Sequence, residues 1–256
     1  MAISLKSITS DTTIAPPRVV LYGPHGVGKT TFGAEAPSPV FLCTEDGMGR
    51  IDAPRFPLLR NWTSVIEALG SLYAEDHDYG TAVLDSLDWL EPIIWDETCR
   101  RNGIANVEAP GYGKGYVLAD VVWREFFDAM LALREAKGMA VILIAHTEIK
   151  QFNDPNTDPY DRYRVKLQTR AAGLAEEWAD CVLFANFRVY TTATKAGFEK
   201  KVTRGVGSGE RVLYTEERPG FRAKNRYSLP PELPFTWSAF TDALSGKQPA
   251  ATPAAA

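Results

Sequence analysis

Read for the placement of apolar and polar residues, the chain opens on a weakly patterned polar stretch, residues 1–16, and then alternates short apolar runs with longer amphipathic segments. The run Arg18-Val-Val-Leu-Tyr22 stops at Gly23, and Val40-Phe-Leu-Cys-Thr44 lies between Pro39 and the turn signal Asp46-Gly47. Thr81-Ala-Val-Leu84 stops at Asp85, and the run 140–145 stops at His146. Strands with one wet face alternate apolar and polar residues, whereas these runs are apolar throughout, as in strands covered by helices on both faces. A mostly parallel sheet is therefore expected, with a further strand at 181–185.

The segments between the strands carry helical periodicity. Ser64 and Glu67 read as a capping box opening a helix that carries Ile66, Leu69 and Tyr73 on one face. Over 117–137, Leu118, Val122, Phe126, Ala129, Met130 and Leu133 recur at helical spacing, and Gly138 supplies the stop. Residues 172–179 read as a short helix. Residues 187–229 read as β-hairpins with Gly205-Val-Gly-Ser-Gly209 as a flexible turn, and 245–256, rich in Ala and Pro, as a disordered tail.

Composition narrows the classes. The longest apolar runs fall far short of the roughly 18 to 20 residues that a membrane-spanning helix needs, and no N-terminal segment has the form of a signal peptide. A cytoplasmic protein with no membrane contact is expected. Cys43, Cys99 and Cys181 stand singly at spacings that fit neither a zinc site nor a disulfide framework, and read as reduced core residues.

A net charge of −4 argues against coating nucleic acid through bulk positive charge. The charge is uneven, however: segment 195–226 holds nine Lys and Arg against four Asp and Glu, a net +5. In the polar stretch after His146, the acids Asp154, Asp158 and Asp161 precede Arg162, Arg164, Lys166 and Arg170, with Tyr160 and Tyr163 interleaved. Tyr112 and Tyr116 flank Lys114 in a second, glycine-rich segment. Cations beside stacking rings on loops are what a sequence-tolerant site for single-stranded nucleic acid requires.

The most specific signal is residues 23–30, Gly-Pro-His-Gly-Val-Gly-Lys-Thr, a complete G-x-x-x-x-G-K-[ST] pattern directly after a predicted strand. Gly23, Pro24, His25, Gly26, Val27, Gly28, Lys29, Thr30 and the following Thr31 make the candidate nucleotide site. Backbone N–H groups of such a loop converge on phosphate, Lys29 reaches the β- and γ-phosphates, and Thr30 ligates Mg²⁺. The expected cofactors are ATP and Mg²⁺. Asp85, at the end of an apolar strand, meets the need for a second metal-holding carboxylate. Glu45, at the end of another, is the candidate to orient or deprotonate water, with its neighbour Asp46 as competitor. His146 reads either as a sensor of the terminal phosphate or as a hydrogen-bonded strand-end histidine, and His25 as facing solvent.

The order of these parts resembles the RecA-type recombinase core. A P-loop is followed by a strand ending in Thr44-Glu45, by Leu84-Asp85-Ser86, by the glycine-rich Gly111-Tyr-Gly-Lys-Gly-Tyr116, a long helix, and a strand ending in a polar residue. Then come a polar loop, Ala171-Ala-Gly-Leu174 opening a helix, another strand, and Ala223-Lys-Asn-Arg226. The likeness covers about residues 17–232 and is closest to the compact RecA-like annealing recombinases of bacteriophages; His146 stands where RecA usually has glutamine. The resemblance implies an α/β RecA-like P-loop NTPase with a mostly parallel sheet flanked by helices, a core at 17–244, and C-terminal β-hairpins. It implies an ATPase, acting as an oligomeric filament or ring on single-stranded DNA in recombination, with a single-strand-binding protein as a companion. Lys29, Glu45 and His146 would serve catalysis, joined by Lys224 and Arg226 projecting into a neighbour's ATP site. Residues 111–116 (Tyr112, Lys114, Tyr116) and about 148–168, with Arg162, Tyr163, Arg164 and Lys166, would form the DNA loops, and Arg170 would extend that surface. A ring helicase or helicase loader, and a nucleotide-switched interaction module, share the same parts.

Overall fold

In the computed structural model, which describes residues 4, 5, 8, 14–195 and 201–247, the apolar runs form one sheet. The strands are β1 (Arg18–Gly23), β2 (Pro39–Cys43), β3 (Thr81–Asp85), β4 (Ala140–Phe152), β5 (Tyr160–Val165), β6 (Cys181–Lys195), β7 (Lys201–Tyr214), β8 (Lys224–Asn225) and β9 (Glu232–Pro234). The helices are α1 (Lys29–Ala34), α2 (Trp62–Ala74), α3 (Leu87–Asn102), α4 (Lys114–Lys137), α5 (Thr169–Trp178) and α6 (Trp237–Leu244). Across the sheet the order is β2-β3-β4-β1-β6-β7-β9. The pairs β2/β3, β3/β4, β4/β1 and β1/β6 are parallel, while β6/β7 and β7/β9 are antiparallel. The expected fold class is borne out as an α/β sheet, mostly parallel and flanked by helices.

Alternate residues of each central strand feed two cores, one on each face, because successive side chains of a strand point to opposite sides. Val20, Leu42, Leu84, Leu143 and Val182 pack with α2 to α5, while Leu21, Phe41, Val83, Ile142 and Leu183 pack beneath α1 and α6. Both faces are dry, which explains the uninterrupted apolar runs. Cys43 and Cys181 are buried and free, with burial pushing their thiols up to about 11 and about 12; Cys99 is free but half-exposed rather than in the core. Among the described residues no helix is long and apolar enough to cross a membrane.

Several expectations need correction. The cap of α2 is Asn61, which pairs reciprocally with Ser64, so the helix starts earlier than the Ser64/Glu67 pattern suggested. Its buried face is Trp62, Val65, Ala68, Leu69 and Leu72, leaving Ile66 and Tyr73 exposed. Gly205 to Gly209 do not turn: they lie in β7, with Gly205 opposite Thr191 and Gly207 opposite Val189. The glycines instead serve a register shift between Phe187 and Val189, where Gly209 takes φ 75°. An inserted residue at a β-bulge needs such a left-handed backbone. The segment after His146 is not a loop either, since β4 continues to Phe152 and pairs antiparallel with β5 as a hairpin arm. Helices α3 and α6 had no counterpart in the sequence reading: α3 contains Pro92 and two ion-pairing arginines, which mask its periodicity. Most of the 245–256 tail, and most of residues 1–13, lie outside the described residues.

Candidate nucleotide site

The P-loop leaves β1 at Gly23, and β4 lies between β1 and β3 in the sheet, with His146 in register beside Gly23. Asp85 ends β3 in register with Ile144, and Glu45 follows Cys43, the register partner of Asp85. Parallel strands end on the same side, so Lys29, Thr30, Glu45, Asp85 and His146 meet at one edge although they are up to 117 residues apart.

Thr30 Oγ1 donates to Asp85 Oδ2 at 2.8 Å. Asp85 is buried, and burial raises its pKa against the opposing hydrogen bond from Thr30 and the charge of Lys29. Lys29 is also buried; its Nζ donates to the carbonyls of Gly23 and Pro24, each at 3.0 Å, and burial lowers its pKa. The ends of β2 and β3 are tied together by Thr44, whose hydroxyl donates to Ser86 O at 2.8 Å and accepts from Ser86 N at 2.9 Å. The Asp85–Ser86 peptide is cis.

His146 is held from α3. Asp88 Oδ1 accepts its backbone N–H at 2.9 Å, and Asp88 Oδ2 lies 2.8 Å from its Nδ1. Burial pushes the Asp88 carboxyl up, but the two bonds to His146 outweigh it and the net shift is downward. An ionised Asp88 places the ring proton on Nδ1, leaving Nε2 facing Glu45 Oε1 at 4.0 Å. Glu45 is raised above the usual carboxylate range, chiefly by burial and against the nearby His146. His25 is exposed as expected, yet its ring stacks on His146 at 4.0 Å, and His146 is the main cause of its lowered pKa. The residue that sequence reasoning missed is Asp88: a carboxylate in the first turn of the helix after Asp85 was the available signal.

Other expected site residues fall elsewhere. Lys224 and Arg226 lie beside the start of β6, at the opposite end of the strands from the P-loop, so neither reaches the nucleotide of its own chain. Lys224 Nζ caps the end of α5 through the carbonyls of Glu176 at 2.7 Å and Ala179 at 2.9 Å, and Arg226 pairs with Asp180 at 3.3 Å. On the hairpin, Arg162 is a correction: it is 7% exposed, paired with Glu217 and stacked over Phe152, so its charge is held within the chain and not presented on an open loop. Tyr163 packs on Phe184, Arg164 pairs with Glu148 at 2.8 Å, and Arg170 pairs with Asp120. Lys166 is exposed next to the site, its N–H bonded to His146 O at 3.0 Å. Tyr112 and Lys114 are exposed, whereas Tyr116 is held by Glu108 at 3.2 Å and the edge of Trp95.

Among solved structures, the crystal structure of the RadB recombinase is similar over 88% of this chain and 90% of that one, with 15% identity and a TM-score of 0.47. Curated protein sequences gave no match. Residues 15–227, which span the P-loop, Asp85, His146 and the strands that carry them, match the AAA domain, and the chain belongs to that family of P-loop ATPase cores.

Proposed function

We propose that the chain is an ATPase that works as an oligomer on single-stranded DNA, annealing or pairing strands in recombination, in the manner of the compact phage-encoded proteins it resembles. The observation that carries the nucleotide half is the meeting of Lys29, Thr30, Glu45, Asp85 and His146 at the ends of four parallel strands. Phosphoryl transfer is catalysed mainly by positioning and by charge placed around the terminal phosphate, and these residues supply both.

The donor set fits magnesium: a hydroxyl and a buried carboxylate touch at 2.8 Å, and a carboxylate raised by burial gains from a nearby cation. Magnesium takes few protein ligands and keeps its waters, so Thr30 and Asp85 suffice to hold it on a nucleotide. When bound, it neutralises charge on the phosphates. Lys29 leaves its own loop carbonyls for the β- and γ-oxygens. Glu45, poised closer to neutrality than a free carboxylate, takes a proton from the attacking water.

His146 stands where β4 leaves the sheet and becomes the hairpin arm, so the residue in register with the first glycine of the P-loop is continuous with the cationic hairpin. A pocket of about 200 Å³ there is lined by Lys150, Phe152, Arg164, Thr169 and Arg222 among others. The Arg170–Asp120 ion pair ties the start of α5 to α4, and the exposed Tyr112 and Lys114 lie at the start of α4. Nucleotide state and DNA contact are thereby mechanically joined. Arg226, half-exposed, and Lys224 act on a neighbour's ATP across a subunit boundary, and the work takes place in the cytoplasm, on DNA coated by a single-strand-binding protein.

One observation favours a second reading, a nucleotide-switched protein-interaction module: Arg162, Arg164, Arg170 and Arg222 are all engaged in ion pairs within the chain. A turnover assay at low salt, with and without single-stranded DNA, separates the two. DNA stimulation that fades as salt rises, because counterions released on binding then enter a more concentrated solution, supports the first; an unchanged rate, with Lys29→Ala still abolishing turnover, supports the second. Mixing Lys224→Ala with Lys29→Ala restores activity only where the ATP site is shared between subunits. Micrographs with ATP and DNA distinguish filaments from the rings of a helicase.

A further inference from the structure

Arg211 belongs to β7, outside the parallel part of the sheet, opposite Phe187 of β6. It nevertheless reaches the P-loop: its Nη1 donates to the carbonyl of Val27 at 3.3 Å. Its guanidinium lies 6.0 Å over the ring of Phe235, which stacks at 5.3 Å on Phe32, two residues past Thr30 in α1. None of the ion pairs found among the described residues includes it. An arginine paired with no carboxylate among the described residues thus rests against the P-loop.

The geometry of a single peptide says what this contact does. Val27 C=O and Gly28 N–H belong to one planar trans unit, so they point in opposite directions. A donor that holds the carbonyl on the outer side of the loop holds the N–H on the inner side, where the phosphate chain lies. Gly28 is required for this arrangement because its φ is 105°, a left-handed conformation that a residue with a Cβ rarely adopts.

We infer that Arg211 is a positioning residue for nucleotide binding, which turns the Val27–Gly28 amide onto the phosphates and so ties the affinity of the P-loop to the β6–β7 ribbon. The inference rests on the nucleotide reading of the P-loop. The contact is to the loop backbone and not to the reacting oxygens, so it strengthens ATP and ADP alike and leaves the chemical step unchanged. Linkage makes the effect reciprocal: whatever engages the ribbon and shifts β7 changes nucleotide affinity, and nucleotide changes the ribbon's affinity by the same factor.

The test compares wild type, Arg211→Met and Arg211→Lys, using a fluorescent ADP analogue for binding, ATP turnover for kinetics and thermal melting for folding. Arg211→Met is expected to raise the Kd of the analogue and the KM for ATP about tenfold each, equivalent to roughly 1.4 kcal/mol. Its kcat should stay within about twofold of wild type, its melting temperature should be unchanged, and Arg211→Lys, which keeps a charged donor, should recover most of the affinity. An unaffected Kd in Arg211→Met, a fall in kcat at constant KM, or a lysine variant as weak as the methionine one overturns the inference. A wild-type chain that fails to bind the analogue overturns the nucleotide reading and this inference with it.

Discussion

Replacing Asp88 by Asn keeps the shape of the side chain but reverses what is demanded of His146. The amide oxygen can still accept the His146 backbone N–H, now bonded at 2.9 Å, but the amide nitrogen then faces Nδ1, now 2.8 Å from a carboxylate oxygen. Nδ1 must become an acceptor, which moves the ring proton to Nε2, 4.0 Å from Glu45. Hydrogen bonds to a charged group contribute about 1.5–3 kcal/mol against about 0.5–1.5 for neutral pairs. Two bonds weakened in this way amount to about 1–3 kcal/mol, partly offset because the buried carboxylate no longer has to be desolvated. Turnover should fall further, about 10- to 100-fold, the loss seen when the orienting partner of a metal-bound histidine is removed. The assay is a double-mutant cycle on kcat with Asp88→Asn and His146→Ala. If Asp88 acts through His146, the double variant is no slower than His146→Ala alone. Losses that multiply, or a loss confined to thermal stability, would refute the dyad.

Two further outcomes test other parts of the molecule. Glu91, buried and bonded to Gln168 N at 2.9 Å, has its pKa pushed from 4.5 up to about 7, mainly by burial. The folded state then keeps a proton that the unfolded chain has released, so stability falls as pH rises from about 4.5 to about 7, by roughly 3 kcal/mol, and is level above. Urea unfolding at pH 5 and pH 8 should show this slope in wild type and lose it in Glu91→Gln; a slope that survives the substitution assigns it to other groups. Gly115 is buried in the first turn of α4, where a Cβ would lie 1.8 Å from Val107 O. Gly115→Ala is therefore expected to cost about 1–3 kcal/mol or more and lower the melting temperature by several degrees, and an unchanged melt would show that the backbone there gives way freely.

What could be read from the sequence follows from how local each signal is. The P-loop is eight consecutive residues, and the strands are short runs whose composition reports burial on both faces, so both were legible. Glu45 and His146 were legible because they end such runs. Asp88 and Arg211 were not: the first acts on a residue 58 positions away, the second on one 184 positions away. Nothing in the neighbourhood of either in sequence marks its partner. The glycines of β7 misled for a related reason, since glycine signals a positive φ without saying whether a turn or a bulge uses it. Arg162 was misread because a sequence shows charges but not their partners, and it finds Glu217 only after folding.

The order of apolar runs and helical segments, together with one P-loop pattern, was thus enough to determine a mostly parallel α/β sheet and the place of that loop in it, because burial and backbone geometry are written into nearby residues. The sheet order decided the rest. Inserting β4 between β1 and β3 brings His146 beside the P-loop. Continuing β4 into a hairpin turns a supposed loop into an arm, and laying β7 beside β6 carries Arg211 to Val27. Each of these is a long-range pairing, whose free energy depends on which surfaces meet and not on any local propensity.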